Sequence, residues 1–408
     1  MEHDSCILQD LAQQYAEVAA DPVNEKRRTL WKQLNDLKNC RPLVMMDQLP
    51  WHELSEDKFL HLCCVDSDAR IVEETLRRQL YQARNFPADR VFEPYVELPK
   101  TINGYHHGVI RKEKTLSTDS KNDVISHSYI SQLCTEKDLE NLLFPTITTD
   151  VKRDIQRRNK LCEMLNGKLP VRLAGIRMFS CGIWDLLLEA IGTDNFYLFL
   201  LDEPELMHKA ADRMVQICHS LIDQLTELAL FDAFEPTVHC TGAYTNDLPQ
   251  DKTEQVKPQD VWTYGLAQML GSVSPAMFEE FEIEHVKPLL ERFGLVYYGC
   301  CEPLHDKIDS IRKIKNVRKI SMSPWANLRA GAEEMQGDFV ISRKPNPSYL
   351  AGSTFDESVI RRELEETREI ARATNATCEF ILKDVSTVHH QPERLMRWHD
   401  IAMQVASE

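Results

Sequence analysis

The sequence predicts an α/β fold: a (β/α)8 TIM barrel, preceded by N-terminal helices and carrying an inserted hairpin or lid after strand two. Three observations predict it. Eight short apolar runs recur along the chain, the pattern of strands buried on both faces of a parallel sheet. Segments with helical spacing and clear start and stop signals separate them. The length of 408 residues, with 43% hydrophobic, suits a single barrel with extra elements.

Residues 1–40 read as a helical extension. "ILQDLAQQYAEVAA" has apolar residues at helical spacing, and "DPVNEKRRTLWKQLNDLKN" opens with Asp21 as N-cap and Pro22 at the first helical position. The barrel spans 41–408. Its first strand is "RPLVMMDQ" (41–48), followed by helical "SEDKFLHLCC" and "DARIVEETLRRQLYQARN". "RVFEPYVEL" (90–98) is the second strand. Residues 99–150 form an insertion in which "GVIRKEKTLSTDSKNDVISHSYI" alternates as a β-hairpin with a polar tip. An insertion there belongs over the C-terminal mouth of the barrel.

"VRLAGIRM" (171–178) is the third strand and "EPTVHCTG" (235–242) the fourth, with a long helix or broken pair from Glu203 between them. Ser274 as cap, Pro275 and Gly294 bound a helix that contains Pro288. The remaining strands are "LVYYGCCE" (295–302), "VRKISMSP" (317–324), "DFVISRKP" (338–345) and "CEFILKDV" (378–385), and an amphipathic "QPERLMRWHDIAMQVA" closes the chain.

Composition narrows the function classes. Sixty-four acidic against 48 basic residues give a net charge of −16, a poor match for nucleic acid or anionic membranes. No basic stretch followed by an apolar one opens the chain, and no apolar run reaches membrane-spanning length. The expectation is a cytoplasmic protein. Its twelve cysteines have no framework spacing and no CxxC pair, so they read as reduced thiols, mostly core. GxGxxG and GxxxxGK[ST] are absent, which argues against dinucleotide and P-loop chemistry.

Active residues of such a barrel sit just beyond the C-terminal strand ends. Here these are Asp47 and Gln48; His239 and Cys240; Cys300, Cys301, Glu302 and His305; Ser323; Arg343 and Lys344; and Lys383, Asp384, His389 and His390. Thiolate and imidazole are the ligands zinc prefers, and a catalytic zinc takes three protein ligands and one open place. Neighbouring strand residues face opposite ways, so Cys300 and Cys301 share a face only if the strand breaks. Gly299 permits such a break.

Four segments resemble the uroporphyrinogen decarboxylase superfamily, in order, over about residues 40–405: "LAGIRMFSCGIWDLLLEAIG" (173–192), "FLLDEPELMHKAADRM" (199–214), "SVSPAMFEEFEIEHVKPLLERFG" (272–294) and "CEFILKDVSTVHHQPERL" (378–395). True decarboxylases of that family grip porphyrinogen carboxylates with arginines after strand one. Here that segment is "MMDQLPWHEL", without arginine. The cobamide-dependent methyltransferase branch holds zinc with a His-x-Cys pair after strand five and a Cys after strand eight. In this chain Cys301 keeps the first cysteine, Gly299 stands in the histidine's place and Ser386 near the second cysteine's.

The resemblance therefore implies a methyltransferase moving a methyl group between a small methylated or methoxylated substrate, or a thiol or pterin acceptor, and a corrinoid. The corrinoid would be carried by a partner protein or bound as free cobamide. Zinc is the implied metal, with His239, Cys301 and Glu302 as ligands and His389 as a further replacement. Asp47, Glu302 and His389 are the expected catalytic groups, and Arg343 and Lys344 the expected substrate-binding ones. Members of the family often pair as homodimers. Two rival readings remain: a decarboxylase whose Arg343 and Lys344 hold a carboxylate, and a barrel that only binds a corrinoid protein or small ligand.

Overall fold

A curled, wholly parallel sheet of seven strands organises the chain. It is seen in a computed structural model that describes residues 2–117, 125–233, 236–249 and 254–408. The helices α1 (Glu2–Ala19) and α2 (Val23–Asn35) lead to β1 (Leu43–Met46), α3 (Ser67–Asn85) and β2 (Val96–Pro99). The hairpin strands β3 (Glu113–Leu116) and β4 (Ser126–Tyr129) follow, then α4 (Val151–Leu165), β5 (Val171–Ala174), β6 (Met178–Ser180) and α5 (Pro204–Glu227). A second small hairpin, β7 (Thr237–Val238) and β8 (Thr241–Gly242), precedes β9 (Trp262–Gly265), β10 (Leu295–Tyr298), β11 (Val317–Met322) and β12 (Val340–Arg343). The last main elements are α6 (Glu357–Ala373), β13 (Cys378–Leu382) and α7 (Glu393–Ser407).

The sheet runs in the order β1-β13-β12-β11-β10-β9-β6. Every pairing in it is parallel, so the C-terminal strand ends share one edge. Alternation divides the side chains. Val44, Met46, Ile341, Phe380 and Leu382 pack among the helices. Leu43, Met45, Val340 and Ile381 face the other way, where they enclose Trp31, Leu34, Cys240 and Tyr244.

That inner face is covered by the β7–β8 hairpin and the segment after it. Trp262 Nε1 donates to the Ala243 carbonyl at 3.0 Å, and Asn35 Nδ2 donates to the carbonyls of Gly242 at 3.0 Å and Tyr244 at 2.7 Å. Residue 242 has to be glycine: a Cβ there would stand 2.4 Å from the Trp31 ring. The hairpin is thus held from beneath by α2 and from the side by the sheet, with His239 in its turn.

Three strand expectations are corrected. The fourth place in the sheet, between β6 and β10, belongs to Trp262–Gly265 and not to 235–242. Residue 235 lies outside the described residues. His239 has φ 55°, a left-handed conformation that reverses the chain and cannot continue a strand. The third run is split into β5 and β6. The second is shorter than 90–98, and β2 pairs with β5, not with β1.

The edge of β1 is covered by Asp89 and Arg90 instead. Asp89, 1% exposed, accepts from Val44 N at 2.8 Å, while Asp89 N donates to the Val44 carbonyl at 3.0 Å. The guanidinium of Arg90 donates to the Met46 carbonyl at 3.0 Å. These bonds satisfy polar groups that a closing strand would otherwise take.

The inserted hairpin is present as the antiparallel pair β3–β4; its tip, 118–124, lies outside the described residues. Ser274 caps its helix as expected, accepting from Met277 N at 3.2 Å. "SEDKFLHLCC" is a correction: it holds only a short 3-10 turn, Lys58–Leu60, and Cys63 is exposed while Cys64 is buried. Among the described residues, no helix is long and apolar enough to cross a membrane.

Candidate active site

The strand break at Gly299 builds the site. Gly299 has φ +95°, accessible to glycine and strained for any other residue. A Cβ there would also meet Leu304 Cδ1 at 2.4 Å and Ser321 Cβ at 3.0 Å. Beyond the break, the Cys300 carbonyl accepts from Ser321 Oγ at 2.7 Å, and Cys300 N donates to Glu302 Oε2 at 2.8 Å. Glu302 Oε1 accepts from Ala267 N at 3.1 Å. Glu302 therefore staples the chain after β9 to the chain after β10. Burial pushes its carboxyl up to about 7, against the backbone hydrogen bonds that favour the ionised form.

With the backbone turned, the two adjacent sulfurs come onto one side. Cys300 Sγ lies 3.5 Å from Cys301 Sγ and 3.1 Å from Lys383 Nζ. Cys301 Sγ donates to Asp384 Oδ2 at 3.4 Å, and Asp384 Oδ2 lies 3.2 Å from Lys383 Nζ. Lys383 is 3% exposed and Cys300 7%, whereas Asp384 is exposed and Cys301 half-buried. The cluster sits at the boundary between core and solvent.

From the inner side comes His239. Its ring packs 5.1 Å from those of Tyr264 and Tyr297, and its Nε2 is buried without a hydrogen-bond partner. Lys344, 3% exposed, is a second neighbour of Tyr297. Its Nζ donates to Tyr297 Oη and, at 2.6 Å, to Ser342 Oγ.

These neighbours decide the protonation state. The hydrogen-bond contact with Cys301 depresses the Cys300 thiol far below its ordinary value; burial opposes this, and His239 and Lys383 add to it. The same hydrogen bond, together with burial, pushes Cys301 far up. The pair titrates as a unit. Geometry puts the thiolate on Cys300, because Cys300 touches the ammonium and Cys301 faces a carboxylate. Burial opposes the charge on His239, but the sulfurs of Cys240 and Cys300 outweigh it and raise the imidazole to about 9. Lys383 is also raised, the nearby sulfurs and Asp384 overcoming its burial.

The expected zinc set does not assemble in this arrangement. Glu302 has both carboxylate oxygens on backbone N–H groups, Cys301 turns to Asp384, and His239 faces Cys300 and the tyrosines. Position 299 has no room for a histidine side chain. Among the described residues, no group of three His, Cys, Asp or Glu side chains is placed to hold a metal.

The other expected residues lie apart. Asp47 is half-buried behind β1, its Oδ1 accepting from Gln48 N at 2.8 Å. His389 is exposed, with Nε2 against the Ala351 carbonyl at 2.8 Å. Arg343 faces the helix layer, donating to the Ser323 carbonyl at 2.7 Å and to Glu363 Oε1 at 2.8 Å. Sequence reasoning placed Cys300 and Lys383 at strand ends without giving either a role. Gly299 was the available signal for Cys300. Beyond its strand-end position, no local signal tied Lys383 to Cys300.

The fold and site define an α/β protein with a lysine-paired thiol at the C-terminal edge of a parallel half-barrel. Compared with known protein families and with curated proteins, the chain matches none.

Proposed function

We propose that this chain is a group-transfer enzyme whose nucleophile is the Cys300 thiolate, in a diverged barrel of the uroporphyrinogen decarboxylase superfamily. The 3.1 Å contact between Lys383 Nζ and Cys300 Sγ carries this reading. A fixed ammonium beside a thiol keeps it ionised at neutral pH, and the thiolate is the reactive form. The parallel β2–β5 pair supports the eight-strand ring: β2 would occupy the second place and β5 would extend the third strand, with Asp89 and Arg90 bridging to β1.

The group that suits a soft sulfur nucleophile is an activated alkyl group, and methyl transfer fits the order of the four resembling segments. A corrinoid on a partner protein, or free cobamide, would supply the reversible methyl carrier. Within the chain, Lys383 holds the sulfur ionised, Glu302 and Ser321 fix its backbone, and Cys301 with Asp384 keeps a proton at hand. With Arg343 bonded to Glu363 and Lys344 to Tyr297 and Ser342, the decarboxylase reading lacks its carboxylate grip.

The test is alkylation of Cys300 by iodoacetamide across pH, read by peptide mass spectrometry, with methylcobalamin as methyl donor in a parallel assay. Cys300 is expected to react at its full rate at about pH 6, below the ordinary thiol range. It should also acquire or pass on a methyl group that Cys300→Ser cannot. A Cys300 that reacts only above about pH 8, like a free thiol, overturns the proposal.

A further inference from the structure

Cys300 and Cys301 are one of two Cys-Cys pairs in the chain; the other is Cys63 and Cys64. The two pairs are built differently. Cys63 Sγ is directed to the His61 carbonyl at 3.7 Å and Cys64 Sγ to the Asp4 carbonyl at 4.0 Å, so their sulfurs diverge. Burial pushes the Cys64 thiol up to about 12. At 300–301 the sulfurs are in contact at 3.5 Å, an ammonium touches one, and a carboxylate faces the other's proton. The half-buried Cys301 and exposed Asp384 leave a small molecule a way in.

We infer that Cys300 and Cys301 form a hydroperoxide-sensitive dithiol that closes reversibly to a disulfide between adjacent residues. The inference rests on the reading of Cys300 as the nucleophile. Cys300 sulfur attacks the terminal oxygen of a hydroperoxide: an S–O bond forms, the O–O bond breaks, and the departing oxygen takes a proton to leave as water or an alcohol. Cys300 is then a sulfenic acid. Cys301 sulfur, 3.5 Å away, attacks Cys300 sulfur. The S–S bond forms, the S–O bond breaks, and hydroxide leaves as water with the proton Cys301 gives up through Asp384. Two electrons pass from the sulfurs to the hydroperoxide.

Adjacent Cα atoms are about 3.8 Å apart across a trans peptide, below the ordinary range for disulfides. The bond is therefore strained and yields to two equivalents of a small thiol by exchange. While it is closed, Cys300 cannot act as nucleophile, so the pair would couple group transfer to the level of hydroperoxide.

The experiment treats the full chain with hydrogen peroxide, blocks free thiols with iodoacetamide, and reads peptides by mass spectrometry. The 300–301 peptide is expected to lose both alkylation sites and recover them with dithiothreitol, while the 63–64 peptide keeps its own. In Cys301→Ser, Cys300 should stop at the sulfenic acid and take up dimedone. Untreated wild-type protein should also bind phenylarsine oxide, a dithiol probe needing no variant, through the 300–301 peptide. Equal dimedone labelling of Cys300 in wild type and Cys301→Ser, or equal oxidation of both Cys-Cys peptides, overturns the inference. If Cys300 still alkylates at about pH 6 in that case, the nucleophile reading stands. If it alkylates only as a free thiol, both fall.

Discussion

Lys319 and Glu379 meet on the inner face of the sheet, their charged ends 2.7 Å apart and neither side chain exposed to solvent. The ammonium also donates to Thr241 Oγ1 at 3.1 Å and to the Gly242 carbonyl at 3.0 Å, and Thr241 Oγ1 donates to Glu379 Oε2 at 2.7 Å. One buried pair thus ties β11 and β13 to the hairpin that carries His239. Removing one partner leaves an uncompensated buried charge, so Glu379→Ala should cost about 3–5 kcal/mol in urea unfolding. The double variant Lys319→Met, Glu379→Leu should recover much of that loss. A Glu379→Ala protein as stable as wild type would show that the pair does not hold the hairpin.

Lys383→Met isolates the cation beside the sulfur. Burial lowers the side chain's affinity for its proton, and the facing sulfurs and Asp384 restore it, so Lys383 remains charged while Cys300 ionises. Without it, the Cys300 alkylation profile should move to higher pH, the rate at acidic pH falling roughly tenfold for each unit of movement. Lys383→Arg should restore part of the shift. An unmoved profile in Lys383→Met would mean that Cys301 and His239 suffice.

His239 gives a stability test whose sign is fixed. Its folded value, about 9, lies above the ordinary 6.5. The folded protein therefore holds this proton where the unfolded chain has released it. The stabilisation is complete below about pH 6.5 and is lost as pH rises through about 9. His239→Asn keeps a residue that tolerates the left-handed backbone and removes the titration. Urea unfolding between these limits should show a shallower decline with pH than in wild type. An identical decline in the two proteins would refute the charge on His239.

Much of the layout was legible because it is written locally. Parallel strands buried on both faces read as apolar runs, and β1, β10, β11, β12 and β13 fall within the predicted segments. Ser274 with Pro275 marked a helix start by side-chain chemistry alone. The misplaced fourth strand shows the limit. "TVHCTG" and "WTYG" are equally strand-like in composition, and what separates them is the reversal at His239. That reversal is stabilised by Lys319, Glu379 and Asn35, all far away in sequence. The site was half legible for the same reason. Strand ends located Cys300, Cys301 and Lys383, but which sulfur meets the lysine depends on the backbone turn at Gly299. The resemblance drew attention to Cys301, whereas the turn brings Cys300 against the cation.

Arg343 separates a strand-end residue from a site residue. It was expected to hold substrate, yet alternation along β12 sends it to the helix side while Ser342 and Lys344 face inward. Its partner is Glu363 on α6, and the side chains are only 8% and 13% exposed. Burial raises the Glu363 carboxyl, and Arg343 counters that rise. Arg343→Met should therefore destabilise the fold by about 3 kcal/mol, near the lower limit for breaking a buried pair, because Glu363 loses its counter-charge and the Ser323 carbonyl its donor. Glu363→Gln should cost less, since the amide oxygen can still accept from the guanidinium. Neither change should alter the rate or pH profile of Cys300 alkylation at temperatures where both variants are folded. A loss of Cys300 reactivity in folded Arg343→Met would return Arg343 to the site.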